Sequence, residues 1–148
     1  MRPEFDGFGA ITPHSDGSFS FAEPGDGMPA LLLPVFDLRG EHIETIAWRW
    51  GRAASPWWLW RKSISYLGEL EIERDRLCSP RRPIRFVATP ADWLADAGHA
   101  ICIVDWAAPI GPLLDELGEI VCSTSALERR LRAAVAAEAA RKIRGRAA

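Results

Sequence analysis

From His42 to Trp50 the chain reads "HIETIAWRW", an alternating pattern that fits a β-strand. Side chains two residues apart share a strand face, so Ile46, Trp48 and Trp50 lie on one side and Thr45, Ala47 and Arg49 on the other. Upstream, Leu31 to Phe36 is an apolar run, and "DLRGE" (Asp37 to Glu41) has Asp at the head of a turn and Gly near its end. Downstream, "GRAASP" breaks the alternation and "WWLWRKS" resumes it, with Trp58 and Trp60 opposite Trp57, Leu59 and Arg61. The expectation is a three-stranded antiparallel meander. Proline cannot donate to a ladder, so Pro34 implies that the first strand lies at an edge or is bulged.

The rhythm changes in the second half. Glu69 to Leu77 fits a short helix, with a charged strand as the competing reading. "SPRRP" (Ser79 to Pro83) is a loop. "IRFVA" then reads as a strand and "TPADWLADAG" as a helix, with Thr89 as N-cap, Pro90 at the first helical position and Gly98 just past the end. "AICIVDW" is a buried strand, "PIGPLLDELG" a helical turn and "EIVC" a third strand. "STSALERRLRAAVAAEAARKIRGR" is a long helix, where Ser125 and Glu128 match a capping box. Such a βαβαβα order implies parallel pairing. The fold class is therefore α+β: an N-terminal antiparallel β-meander followed by a βαβαβα segment with a long C-terminal helix, an order that one mixed sheet could accommodate.

With 148 residues, the chain is long enough for one domain with a substantial core. Residues 1–28 are rich in Gly, Pro, Asp and Ser and read as an N-terminal arm pinned by Phe5, Phe8, Phe19 and Phe21, with "SFSF" (Ser18 to Phe21) as a short edge strand. Residues 29–148 read as a single α+β domain. Apolar runs such as Ala30 to Leu33 and Ala100 to Val104 fall far short of a membrane span, and "MRPEFDGFGA" has no secretory pattern. The expectation is a cytoplasmic protein with no membrane contact. Cys78, Cys102 and Cys122 have neither disulfide-framework count nor zinc spacing and read as structural thiols, so no metal and no cofactor is expected.

The net charge of −2 hides a segregation along the chain. Residues 1–47 balance to −6, 48–63 to +4 with no acid, 86–122 to −6 with no cation, and 123–148 to +5. The basic stretch 48–62 also carries five of the seven tryptophans. Rings interleaved with Arg and Lys on a sheet are how many modules hold single-stranded nucleic acid. The bland reading is a packed core, which the alternation favours for the face shared by Ile46 and Trp48. Trp57, with Leu59 and Arg61, is then the candidate surface. The residues expected to touch a nucleic acid or nucleoprotein are Arg49, Arg52, Trp57, Arg61 and Lys62, with Arg141, Lys142 and Arg144 of the last helix. Solvation is the ordinary fate of a charged helix face, and the basic helix against an acidic segment of a second copy would make a homodimer.

Catalytic motifs are sparse. Asp105 follows the strand "ICIVDW", where parallel sheets bind ligands, yet two-metal sites of the toprim kind need an Asp-x-Asp and the chain has "DWA". An Asp capping the following turn is the plainer reading. His14, His42 and His99 have no ligand at helical spacing, and no nucleophile elbow, GxGxxG or P-loop occurs. An enzyme with a strand-end site at Asp105 and His99 is one alternative, and a protein-only dimerising module is another.

The stretches "DLRGEHIETIAWRW", "PWWLWRKSISYLGE" and "TPADWLADAGHAICIVDW", spanning roughly residues 30–106, resemble small uncharacterised proteins of alphaproteobacterial genomes and phage-like elements. The resemblance transfers no catalytic residue and implies an accessory role in the DNA metabolism of a mobile element. The sequence expectation is thus a non-enzymatic accessory or adaptor protein.

Overall fold

The computed structural model describes residues 7–49, 56–77 and 82–144. Its residues group into two compact units, 1–64 and 65–148. The architecture is α+β, with an antiparallel sheet in the first unit, a mixed sheet with helices in the second, and a long C-terminal helix. The strands thus fall into two separate sheets. No helix among the described residues is long and apolar enough to cross a membrane.

The first unit holds five strands: β1 (Phe8–Pro13), β2 (Phe19–Ala22), β3 (Met28–Phe36), β4 (His42–Trp48) and β5 (Trp57–Leu59), in the order β2-β1-β3-β4-β5. The expected meander is β3-β4-β5. The stretch read as an arm adds β1 and β2: "SFSF" supplies the edge strand, while β1 escaped notice because "FGAITP" lacks alternation. Pro34 is accommodated because β1 pairs with β3 only over Met28 to Leu31, so the later half of β3 is an edge. Asp37 Oδ1 accepts from Arg39 N (2.8 Å) and Glu41 N (2.9 Å), closing the β3–β4 turn with Gly40 at φ +80°. Beyond β5 the two edges meet: Leu59 N donates to Gly17 O at 2.9 Å, and Ser18 bridges Leu59 in parallel.

Both faces of β4 are buried. Ile11, Phe19, Ala30, Leu32 and Ala47 form a core on one face, with Met28, Trp58 and Trp60 packed against it. On the other face Glu44, Ile46, Trp48 and Leu59 are buried as well. The expected division into a core face and an open opposite face therefore holds for Ile46 and Trp48, which are buried, and for Arg49, which is exposed, but not for Thr45 and Ala47. Thr45 and Ala47 are closed off because β4 is flanked by β3 and β5 and has a filled core beneath it. Trp50 lies outside the described residues.

The second unit contains β6 (Tyr66–Leu67), α1 (Glu69–Leu77), β7 (Ile84–Val87), α2 (Pro90–Ala95), β8 (Ile101–Ile103), α3 (Gly111–Asp115), β9 (Ile120–Cys122) and α4 (Ser125–Arg144). The sheet order is β6-β8-β7-β9, with β7 parallel to both β8 and β9 and β6 antiparallel to β8. Glu69 to Leu77 is the helix, not the charged strand. Phe86, Ile101 and Ile103 of the sheet pack with Ile72 of α1, Leu113 of α3 and Leu127 and Leu131 of α4. Thr89 caps α2 through Asp92 N, with Pro90 next, as expected. For α4 the cap is Thr124 rather than Ser125: its Oγ1 accepts from Leu127 N at 3.1 Å.

Candidate functional site

A row of aromatic rings runs across the core face of the first sheet and out to solvent. Phe19 is buried and meets Phe21 edge-on at 5.3 Å. Phe21, 38% exposed, meets Trp60 at 5.5 Å; Trp60 stacks with His42 at 5.8 Å and 22°; His42 meets Phe36, 54% exposed, at 5.8 Å. The Arg61 guanidinium lies over the Trp60 ring, 4.1 Å from its centroid, a cation–π pair that leaves its N–H groups at the surface.

A bulge puts His42 in this row. Simple alternation would place it with Glu44, Ile46 and Trp48. Instead Val35 pairs with Glu44 and Phe36 with His42, so Ile43 is the extra residue and His42 turns to the face of Thr45 and Trp60. There its Nε2 lies 2.9 Å from the hydroxyl of the buried Thr45.

Trp60 and Arg61 sit just past β5, in a turn fixed by Glu44. This carboxylate is fully buried; its Oε1 accepts from Thr45 N (3.0 Å) and Arg61 N (2.9 Å), and its Oε2 from Ser63 N (2.8 Å). The Ser63 hydroxyl lies 3.0 Å from Oε2 and 2.7 Å from Ile43 O. Lys62, between the two clamped amides, has φ +53°, a left-handed conformation uncommon outside glycine.

The residues singled out by sequence are dispersed. Arg61 belongs to the row, and Lys62 is exposed beside it with Nζ donating to Asp16 O at 2.9 Å. The Ser18 hydroxyl and amide, helped by the Lys62 charge, hold the Asp16 carboxyl below its usual range. Trp57 is half-buried opposite Trp48, and Leu59 beside it is only 2% exposed, so the surface expected from Trp57, Leu59 and Arg61 is not one surface. Trp57 and Leu59 share a face of β5, but Trp57 is half-buried and Leu59 is buried, while Trp58 on the other face packs partly buried against the core. Arg49 is exposed just after β4, and Arg141 and Lys142 are exposed on the last turns of α4. Arg52 and the Arg144 side chain lie outside the described residues, as does Cys78. Sequence reasoning missed Phe21, Phe36, His42 and Trp60 as a group. The Phe pattern of "SFSF" was the one available signal.

The carboxyl ends of the parallel strands are already committed to structure. Thr89 and Thr124 cap helices, and Asp105 Oδ1 accepts from Ala107 N at 3.0 Å. Glu138 of α4 receives the N–H groups of Ile110 and Gly111 at the start of α3. Trp106 has a buried indole N–H with no hydrogen-bond partner, and Arg130 lies over its ring at 4.2 Å. His99 is not part of this end. It precedes β8 whereas Asp105 follows it, so the two lie at opposite ends of that strand. His99 Nδ1 lies 3.1 Å from Glu71 Oε1 and 2.9 Å from Arg74 Nη1. The structure does not bring His99 and Asp105 into one site. No group of His, Cys, Asp and Glu among the described residues has metal-binding geometry.

The fold and the aromatic row define an α+β protein with a partly exposed row of rings on its N-terminal sheet. Comparison with protein-family models, curated proteins and solved structures finds no match to the chain.

Proposed function

We propose that the chain is a non-enzymatic accessory protein that holds a single-stranded nucleic acid on the row Phe21–Trp60–His42–Phe36, with Arg61 at its side. The observation that carries this reading is the partial exposure of rings that a core would have buried: Phe36 is 54% and Phe21 38% exposed beside a well-packed interior. Open aromatic faces next to a surface guanidinium suit bases and a phosphate, and stacking on such rings is tolerant of sequence. An accessory role in mobile-element DNA metabolism, which the resemblance implies, would use binding of this kind.

Electrostatics adds modestly here. Arg61 and Arg39, in the turn between Phe36 and His42, are exposed, but Glu41 is exposed in the same turn. Stacking therefore supplies most of the affinity. Titration with a single-stranded oligonucleotide should quench tryptophan emission. Phe36→Ala and Phe21→Ala should each weaken binding by about 1–3 kcal/mol, the worth of one stacked base. Absence of quenching at low salt, or wild-type affinity in both variants, would overturn the reading.

A further inference from the structure

We infer that Glu44 is the positioning residue of this surface, holding the Trp60 ring and the Arg61 guanidinium in place without touching the ligand. The inference rests on the proposed binding role of the aromatic row. Its ground is the clamp beneath the row. A fully buried carboxylate sits in a concavity of backbone N–H groups, with Arg61 N at 2.9 Å and Ser63 N at 2.8 Å. Successive amides around a left-handed residue form an anion-binding nest, and the left-handed residue here is Lys62. A lysine enters that conformation at a cost, and amide bonds on both sides hold it there. Trp60 is in turn tied to β4 by its own amide, which donates to Thr45 O at 3.0 Å. Glu44 and Thr45 thus anchor consecutive residues of the segment that presents the ring and the cation.

Glutamine in place of Glu44 keeps the volume and exchanges one acceptor for a donor. That donor faces an amide N–H, so one half of the clamp is lost. In Glu44→Gln the Trp60 indole resonance, assigned by Trp60→Phe, should move and broaden, while those of Trp93 and Trp106 stay in place. Affinity for a single-stranded oligonucleotide should fall about tenfold, the scale of one hydrogen bond to a charged group. Adding Lys62→Gly to Glu44→Gln should recover the Trp60 resonance and part of the affinity, because glycine takes the left-handed turn unaided. A purely structural glutamate would show no such rescue. A folded Glu44→Gln protein with unmoved Trp60 resonance and unchanged affinity would overturn the inference. Should Glu44→Gln fail to fold, Glu44→Asp takes its place: its shorter side chain draws the carboxylate away from Arg61 N and Ser63 N, and an unmoved Trp60 resonance there would also overturn it. If the wild type binds no oligonucleotide, the functional reading falls, while the Trp60 resonance still reports on the clamp.

Discussion

Trp48 and Arg49 are neighbours with opposite fates. Trp48 is 8% exposed on the interior strand β4, and truncating it to alanine should cost about 3–5 kcal/mol in chemical denaturation, enough to leave much of the protein unfolded. Arg49 is exposed, and Arg49→Ala should change stability by less than about 0.5 kcal/mol. The two fates were legible in the alternation of "HIETIAWRW", because Trp48 keeps company with Ile46. A second residue-scale prediction concerns Cys102. Burial first, and the Asp92 charge second, push its thiol from 9.0 to about 12. The folded state therefore holds this proton more tightly than the unfolded chain. The resulting stabilisation is complete below the ordinary thiol range and is lost as pH climbs from 9.0 to about 12. In a chain with Cys78 and Cys122 changed to serine, disulfide reagents at pH 8 should label Cys102 only at the rate of unfolding. Fast labelling of the native protein would show that the thiol is open.

At the scale of elements, chain ends and turns decide as much as faces. α3 is five residues long and has no side-chain cap of its own at Ile110, so its first amides depend on Glu138 reaching across from α4. Glu138→Ala should cost about 1–3 kcal/mol by leaving two partly buried N–H groups unmet, measured by denaturation against the parent. A neutral result would mean that water replaces the carboxylate. Gly68, between β6 and α1, is held more tightly still: its φ is +115°, and a Cβ there would stand 2.5 Å from Ala100 O. Gly68→Ala should therefore destabilise the second unit or prevent its folding. Thr89, Pro90 and Gly98 announced α2 by local chemistry, and Asp37 and Gly40 announced the β3–β4 turn. Glu138 could not be read in this way, because its partners lie 27 and 28 residues away. β6, two residues long, left no periodicity to detect.

For the molecule as a whole, part of the segregated charge is met by local partners among the described residues. Lys62 is tied to Asp16 O, Arg132 pairs with Glu128, and Arg76 meets Glu73 and Glu116. Arg39 and Arg61 flank the aromatic row and are exposed, while exposed Lys62 beside Arg61 donates to Asp16 O. The logarithmic salt slope of single-strand binding should accordingly be shallow, about −1.4 for two phosphates neutralised. A much steeper slope would move the main contact to other cations, such as Arg141 and Lys142 on α4. The sequence by itself determined many of the elements, though not β1 or β6: period two in β4, the caps of α2, the βαβαβα rhythm of the second half and the α+β class. These follow from side chains acting on their own backbone within a few residues. The tertiary structure alone decided that there are two sheets, that β1 and β2 join the first, and that Leu59 meets Ser18. It also decided that a bulge at Ile43 turns His42 toward Trp60. Pairing, register and closure depend on hydrogen bonds between residues distant in the chain, and a one-residue shift in register exchanges the two faces of a strand. The aromatic row exists on one side of that exchange and not on the other.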